Sequence, residues 1–164
     1  MILSIAILGF VTLSRLSELV YARANTRRLI AMGGHEVAPG HYPLIVAMHA
    51  AWIIGLWVLA WNRQASLPWL AVFVVIECAR AWVLASIGRR WTTRIIVVPG
   101  ETLVRKGPYK FFPHPNYAVV VAEIFVLPMV FGLLWFALLF TALNAGVLFI
   151  RIRAENSALA PART

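Results

Sequence analysis

The chain has 164 residues, 62% hydrophobic and 13% charged, with a net charge of +9 and a mean hydropathy of +0.82. A soluble domain is about half apolar with about a quarter of its residues charged, so a wholly water-facing exterior is excluded and lipid must cover part of the surface. Nucleic-acid binding is disfavoured too, because the basic residues collect in short connections between apolar segments and form no stripe on a soluble fold.

Length allows a single domain over residues 1–164. The start, Met1–Leu8, lacks a basic n-region and no small-x-small site follows, so no cleavable signal is expected. A membrane-crossing helix needs about 20 mostly apolar residues. The first candidate runs from Ile2 to Tyr21 and holds Arg15 and Glu18; the second runs from Tyr42 to Trp61. The third, Leu67 to Ile87, carries Glu77, Arg80 and Cys78, the last expected as a packed core thiol. The apolar stretch from Tyr117 to Ile150 would reach about 50 Å at ~1.5 Å per residue, too long for one crossing. Pro128 and Gly132 near its middle predict a tight hairpin, with spans over 117–131 and 133–150.

Alternate connections are basic. Arg23, Arg27 and Arg28 follow the first span; Arg89, Arg90, Arg94, Arg105, Lys106 and Lys110 follow the third; Arg151, Arg153 and Arg163 end the chain. The second connection has Arg63 alone and the hairpin turn has no charge. The expectation is an all-α integral membrane protein of five transmembrane helices, N-terminus outside and C-terminus cytoplasmic. Its cytoplasmic connection, 88–116, starts with a basic, aromatic stretch expected to lie along the interface, then turns at Pro99-Gly100 and Lys106-Gly107-Pro108. A loop this long between spans is more often functional than idle.

Ionisable groups in lipid are costly and need a reason. Arg15 and Glu18 are three residues apart on one helical face, and Glu77 and Arg80 repeat the spacing. Each set reads either as a neutralised pair between helices or as part of a polar cavity lining, with snorkelling as a further option for Arg15. Glu123 has no opposite charge at helical spacing, so it should face a cavity, a ligand or another helix. His49 reads as a hydrogen-bonded core histidine. His35, Glu36 and His41 sit in a Gly/Pro-rich connection without a third close ligand, and no metal is expected.

The densest chemistry lies in Gly107-Pro108-Tyr109-Lys110-Phe111-Phe112-Pro113-His114-Pro115-Asn116-Tyr117. Two prolines fix the backbone around His114, and Asn116 is placed to cap a helix starting at Tyr117. Such a helix start favours an anion, with a titratable ring and a hydroxyl beside it; a simple cap would use the same residues. The second cluster is Arg151-Ile152-Arg153-Ala154-Glu155-Asn156, where Arg151 and Glu155 share a face. A hairpin of the last two spans would return this cluster to the level of His114 and Tyr117.

Gly-Pro-Tyr, His-Pro-Asn-Tyr, a carboxylate in the next helix and a terminal Arg-x-x-x-Glu resemble the isoprenylcysteine carboxyl methyltransferase family. Arg15-Leu16-Ser17-Glu18, Asn25 and Gly33-Gly34-His35-Glu36 through His41-Tyr42 are similar to its short bacterial branch, which implies a bacterial inner membrane. The resemblance implies S-adenosylmethionine bound in a cytoplasmic pocket by Gly107, Pro108, Tyr109, His114, Pro115, Tyr117, Glu123 and Glu155. It implies Arg151 and Glu155 as catalytic residues, and Arg15, Glu18 and Arg151 at the substrate. Two positions depart from the family pattern: Pro113 replaces an arginine and Asn156 replaces a second glutamate, so Arg105 or Arg153 enters as an alternative anion holder.

The implied reaction is O-methylation of a lipophilic acceptor, either an isoprenylcysteine-like carboxylate or a polyketide-derived lipid such as an alkylpyrone. The partners expected are that lipophilic or prenylated substrate and the bilayer, without nucleic acid or metal. Two competing readings remain: an NADPH-dependent membrane reductase of the sterol type, and a non-catalytic scaffold or transporter subunit whose charges glue helices together.

Overall fold

Thirty consecutive helical residues open the chain, because no proline interrupts Ile2 to Ala31. In the computed structural model, which describes residues 1–102 and 104–159, this helix is α1 (Ile2–Ala31). It is followed by α2 (Tyr42–Ala60), α3 (Leu67–Ile87), α4 (Pro115–Val130) and α5 (Leu134–Leu159). Arg163 lies outside the described residues.

Four of these helices, α1, α2, α3 and α5, are long and apolar enough to cross a membrane. Leu13, Val20, Ile54, Val75 and Trp135 are among the many large apolar side chains left exposed, as expected where lipid is the outer solvent. The protein is an integral membrane protein. The fourth expected span differs: α4 has 16 residues, about 24 Å at ~1.5 Å per residue, which is short of a ~30 Å hydrocarbon core.

α1 also differs from expectation, continuing ten residues past Tyr21. Its final turns therefore carry Arg23, Arg27 and Arg28, expected in a loop. Tyr21 stacks on Trp91 with ring centroids 6.1 Å apart, and the buried Asn25 donates to the Trp91 carbonyl at 2.8 Å. These contacts give the protruding end something to hold. The stretch Arg89 to Val98 forms a strap: its β2 (Ile96–Val97) pairs antiparallel with β1 (His35–Glu36), His35 opposite Val97.

α4 packs on α3 and α5. The α4–α5 hairpin turns at Gly132, whose φ of +69° suits glycine, and the Leu133 amide donates to the Pro128 carbonyl at 3.0 Å. The helices bury one apolar core at the hairpin end, where Leu8, Trp52, Leu56, Ile124, Leu127 and Val130 meet. Along the axis from that end come the core, a belt of charged side chains, and then the strap with a cavity beneath it. Cys78 is exposed, not packed in the core.

The belt is one network across three helices. Arg15 reaches Glu18 at 2.9 Å and Glu123 at 2.7 Å. Arg80 donates through Nε to Glu18 at 2.7 Å and through Nη1 to Glu123 at 2.9 Å. The expected Arg15–Glu18 pair is therefore present, and Glu123 has its partners on other helices. Glu77 and Arg80 are not partners of one another: Arg80 serves Glu18 and Glu123, while Glu77 lies 3.8 Å from Arg15. Arg15 is drawn inward to these carboxylates and does not snorkel. His49 Nδ1 lies 2.9 Å from the Ile45 carbonyl, a hydrogen-bonded histidine inside α2.

Candidate functional site: a cavity under the strap

Pro115 occupies the first turn of α4, where its missing N–H costs nothing. The helix thus starts two residues earlier than expected. His114, not Asn116, is the N-cap residue, and no side chain caps the helix. Asn116 Oδ1 is buried without a hydrogen-bond partner and borders a cavity of about 550 Å³.

Tyr109, His114, Tyr117, Arg151 and Glu155 line that cavity. α5 returns beside α4, so residues more than thirty positions apart become neighbours. The Tyr117 hydroxyl donates to the Glu155 carboxylate and accepts from Arg151 Nε at 2.7 Å. Arg151 is buried and spans to the strap, its Nη1 donating to the Thr93 carbonyl at 2.7 Å. The His114 and Tyr117 rings stack with centroids 5.3 Å apart. His114 Nε2 lies 3.2 Å from Asn156 Oδ1, and Nδ1 lies 3.9 Å from Glu155 Oε1.

The 3-10 turn Gly107–Lys110 delivers Tyr109 and Lys110 to the wall. Gly107, at φ +57°, sits so close to α3 that any Cβ there would collide with the Ser86 side chain. Burial, with the Glu155 carboxylate adding to it, pushes the Tyr109 phenol up to about 12, so at neutral pH it is a hydroxyl donor.

Gly107, Pro108 and Pro115 thus shape the site from behind and do not line it. Arg15, Glu18 and Glu123 are not brought to it: they form the belt deeper in the bundle. Sequence reasoning missed four contributors. Arg94 donates to Glu36 at 2.7 Å and lies 4.6 Å over the Tyr42 ring, tying the strap to the first connection. Thr93 contributes its carbonyl, Trp91 anchors the strap, and Ser86 receives the Gly107 turn. An Arg-rich, aromatic loop signalled the first; a backbone carbonyl leaves no signal in a sequence. Among the described residues no group of three or more His, Cys, Asp or Glu side chains is placed to hold a metal.

The chain is similar to known proteins over most of its length. A Bacillus subtilis (strain 168) protein named "Uncharacterized protein YpbQ" is 40% identical over 158 residues, covering 93% of this chain and 94% of that protein. A Haemophilus influenzae "Uncharacterized protein" is 22% identical over 142 residues, covering 82% of each chain. No solved structure matches. The family model named "Isoprenylcysteine carboxyl methyltransferase (ICMT) family" matches residues 69–161, from α3 through the cavity residues to the end of α5. The chain belongs to the isoprenylcysteine carboxyl methyltransferase family, a family of membrane methyltransferases.

Proposed function

We propose that the protein is an S-adenosylmethionine-dependent O-methyltransferase for a lipophilic acceptor, working at the cytoplasmic face of a bacterial inner membrane. In this reading α4 completes a five-helix membrane domain by reaching the interface at His114, with the N-terminus outside. The observation that carries the proposal is the Arg151–Tyr117–Glu155 chain of hydrogen bonds inside a cavity bordered by a helix N-terminus, at the basic end of an apolar bundle.

The residues present fit the donor. A volume of about 550 Å³ falls in the roughly 300–1,000 Å³ range of small-molecule sites. Glu155 offers a carboxylate to a cationic group, Arg151 offers a guanidinium to an anionic one, and the unpartnered Asn116 Oδ1 accepts from an amine. When bound, S-adenosylmethionine supplies an electrophilic methyl group, transferred in a single displacement to an oxygen nucleophile.

The chain's own task is to hold, align and keep water out. A carboxylate acceptor needs no base at neutral pH. For an enol or phenol acceptor the base is His114: with Nε2 donating to Asn156 Oδ1, Nδ1 is the ring's acceptor, and the nearby Glu155 carboxylate stabilises the ring once it takes a proton. Asn156, which departs from the family pattern, fixes the tautomer here. Arg151, held by Tyr117 and the Thr93 carbonyl, favours an acidic acceptor over a neutral one. A polyketide-derived lipid such as an alkylpyrone meets these terms, as does an isoprenylcysteine-like carboxylate.

The test is incubation of nanodisc-embedded protein with methyl-labelled donor and bacterial lipid extract. Label in a lipid that is lost in His114→Ala is the expected result. Label in protein alone contradicts a lipid acceptor, and label in lipid at the same rate in His114→Ala contradicts the role given to His114.

A further inference from the structure

The 3-10 turn that leads into α4 lies at membrane depth. α3 has 21 residues, about 32 Å at ~1.5 Å per residue, which matches a ~30 Å hydrocarbon core. Its last turn therefore marks one membrane boundary, and Arg89 and Arg90 follow at once. The turn Gly107–Lys110 packs against α3 at that level. A Cβ at Gly107 would meet the Ser86 side chain and lie 3.4 Å from Trp82 Nε1. Trp82 itself is 54% exposed, as a tryptophan at the headgroup level is.

Phe111 and Phe112 leave this turn 69% and 64% exposed. Adjacent bare rings are unfavourable in water, and at this depth lipid is beside them. The charges around the rings select the lipid. Arg105, Lys106 and Lys110 are all exposed, and Lys110 Nζ lies 5.9 Å from the Phe111 ring centroid. Among the described residues none of the three is within 4 Å of a carboxylate. Glu101, the nearest acidic residue in sequence, is already held by Arg90 at 3.1 Å. Residues 104–113 thus carry three cations and no anion. A zwitterionic surface would take the rings and leave the cations without counter-charge, whereas an anionic one satisfies both, by about fivefold in binding per cation.

We infer that segment 105–112 is an anchor for anionic phospholipid, with Phe111 and Phe112 dipping below the headgroups and Arg105, Lys106 and Lys110 meeting their phosphates. Long basic side chains reach outward while aromatic rings sit inward, so one short turn serves both layers. Lys110, Phe111 and Phe112 also border the cavity under the strap, and the anchor places the rim of that cavity at the headgroup level. The inference stands whether or not methyl transfer occurs.

Cys78 is the single cysteine of the chain, so Cys78→Ser with Phe112→Cys gives one site for a nitroxide. The experiment compares its collisions with oxygen, which concentrates in lipid, and with a nickel chelate, which stays in water. The protein is held in nanodiscs of phosphatidylcholine, with or without phosphatidylglycerol. The expected oxygen-to-nickel ratio is several-fold higher with phosphatidylglycerol, and the rise is lost in Lys106→Gln/Lys110→Gln and at high salt. Phe111→Cys, at an equally exposed position, gives the same reading if Phe112→Cys fails to fold. Dominant nickel collisions would place the rings in water and overturn the inference. Few collisions with either reagent would mean that protein covers them, from a second copy or the chain's own cavity, and would overturn it too. So would equal ratios in the two membranes, or a rise that persists in the double lysine variant.

Discussion

Arg80 of α3 and Glu123 of α4 meet at 2.9 Å in the middle of the bundle, and the same Glu123 accepts from Arg15 of α1 at 2.7 Å. One carboxylate, 3% exposed, thus joins three helices. Truncating one member of a buried ion pair costs about 3–5 kcal/mol, because the partner is left charged and alone. Glu123→Ala should therefore lose stability on that scale, and the double variant Glu123→Ala/Arg80→Met should recover part of it. Denaturant titration in detergent micelles checks both. If Glu123→Ala lowers donor affinity with stability unchanged, the residue belongs to the cavity after all.

Tyr117 gives a cleaner functional probe. Tyr117→Phe keeps the ring stacked on His114 but removes the oxygen shared by Arg151 and Glu155. The stability loss should be about 1 kcal/mol, as for an ordinary hydrogen bond, while turnover should fall roughly 10- to 100-fold as Arg151 and Glu155 lose their common reference. Single-turnover methylation and thermal unfolding on the same preparation separate the two effects.

How much of this was legible beforehand depended on the kind of contact. Apolar runs and basic connections marked the helices α1, α2, α3 and α5, because lipid imposes length and composition directly. The Gly107–Tyr117 and Arg151–Glu155 segments were legible as neighbours because a hairpin returns the chain. The cross-helix choice of Arg80 for Glu18 and Glu123 was not: local spacing offered Glu77 at three residues, and only packing decides between neighbours in sequence and neighbours in space. The pairing of Glu36 with Arg94 was equally hidden, since strands of two residues leave no periodic pattern.

Gly107 is needed for two reasons, its φ of +57° and its approach to Ser86. Gly107→Ala should cost about 1–3 kcal/mol from the left-handed backbone and the clash together. Adding Ser86→Gly should relieve the clash and restore part of the loss. Failure of the pair to show any coupling in unfolding experiments would mean that the turn does not rest on α3.

Tyr109 predicts a pH dependence. Its phenol is held near 12 when folded against about 10 when unfolded, so the folded state keeps its proton more tightly. This contribution to stability is fully present below about pH 10 and is lost as pH rises toward 12. Wild type should therefore lose stability over that interval more steeply than Tyr109→Phe, as thermal scans from neutral to strongly alkaline pH will show.

The strap bond is weaker. Arg94 is 41% exposed, so its coupling to Glu36 should be well under 1 kcal/mol and should fade with salt. A double-mutant cycle with Arg94→Ala and Glu36→Ala at two ionic strengths measures it.

The most direct test of the cavity assignment is calorimetric titration of detergent-purified protein with S-adenosylhomocysteine, on wild type, His114→Ala and Glu155→Ala. The account predicts one site per chain in wild type, weakened at least tenfold in both variants while Glu123→Gln binds as wild type does. Absence of binding in folded wild type, or binding indifferent to His114 and Glu155, would contradict it.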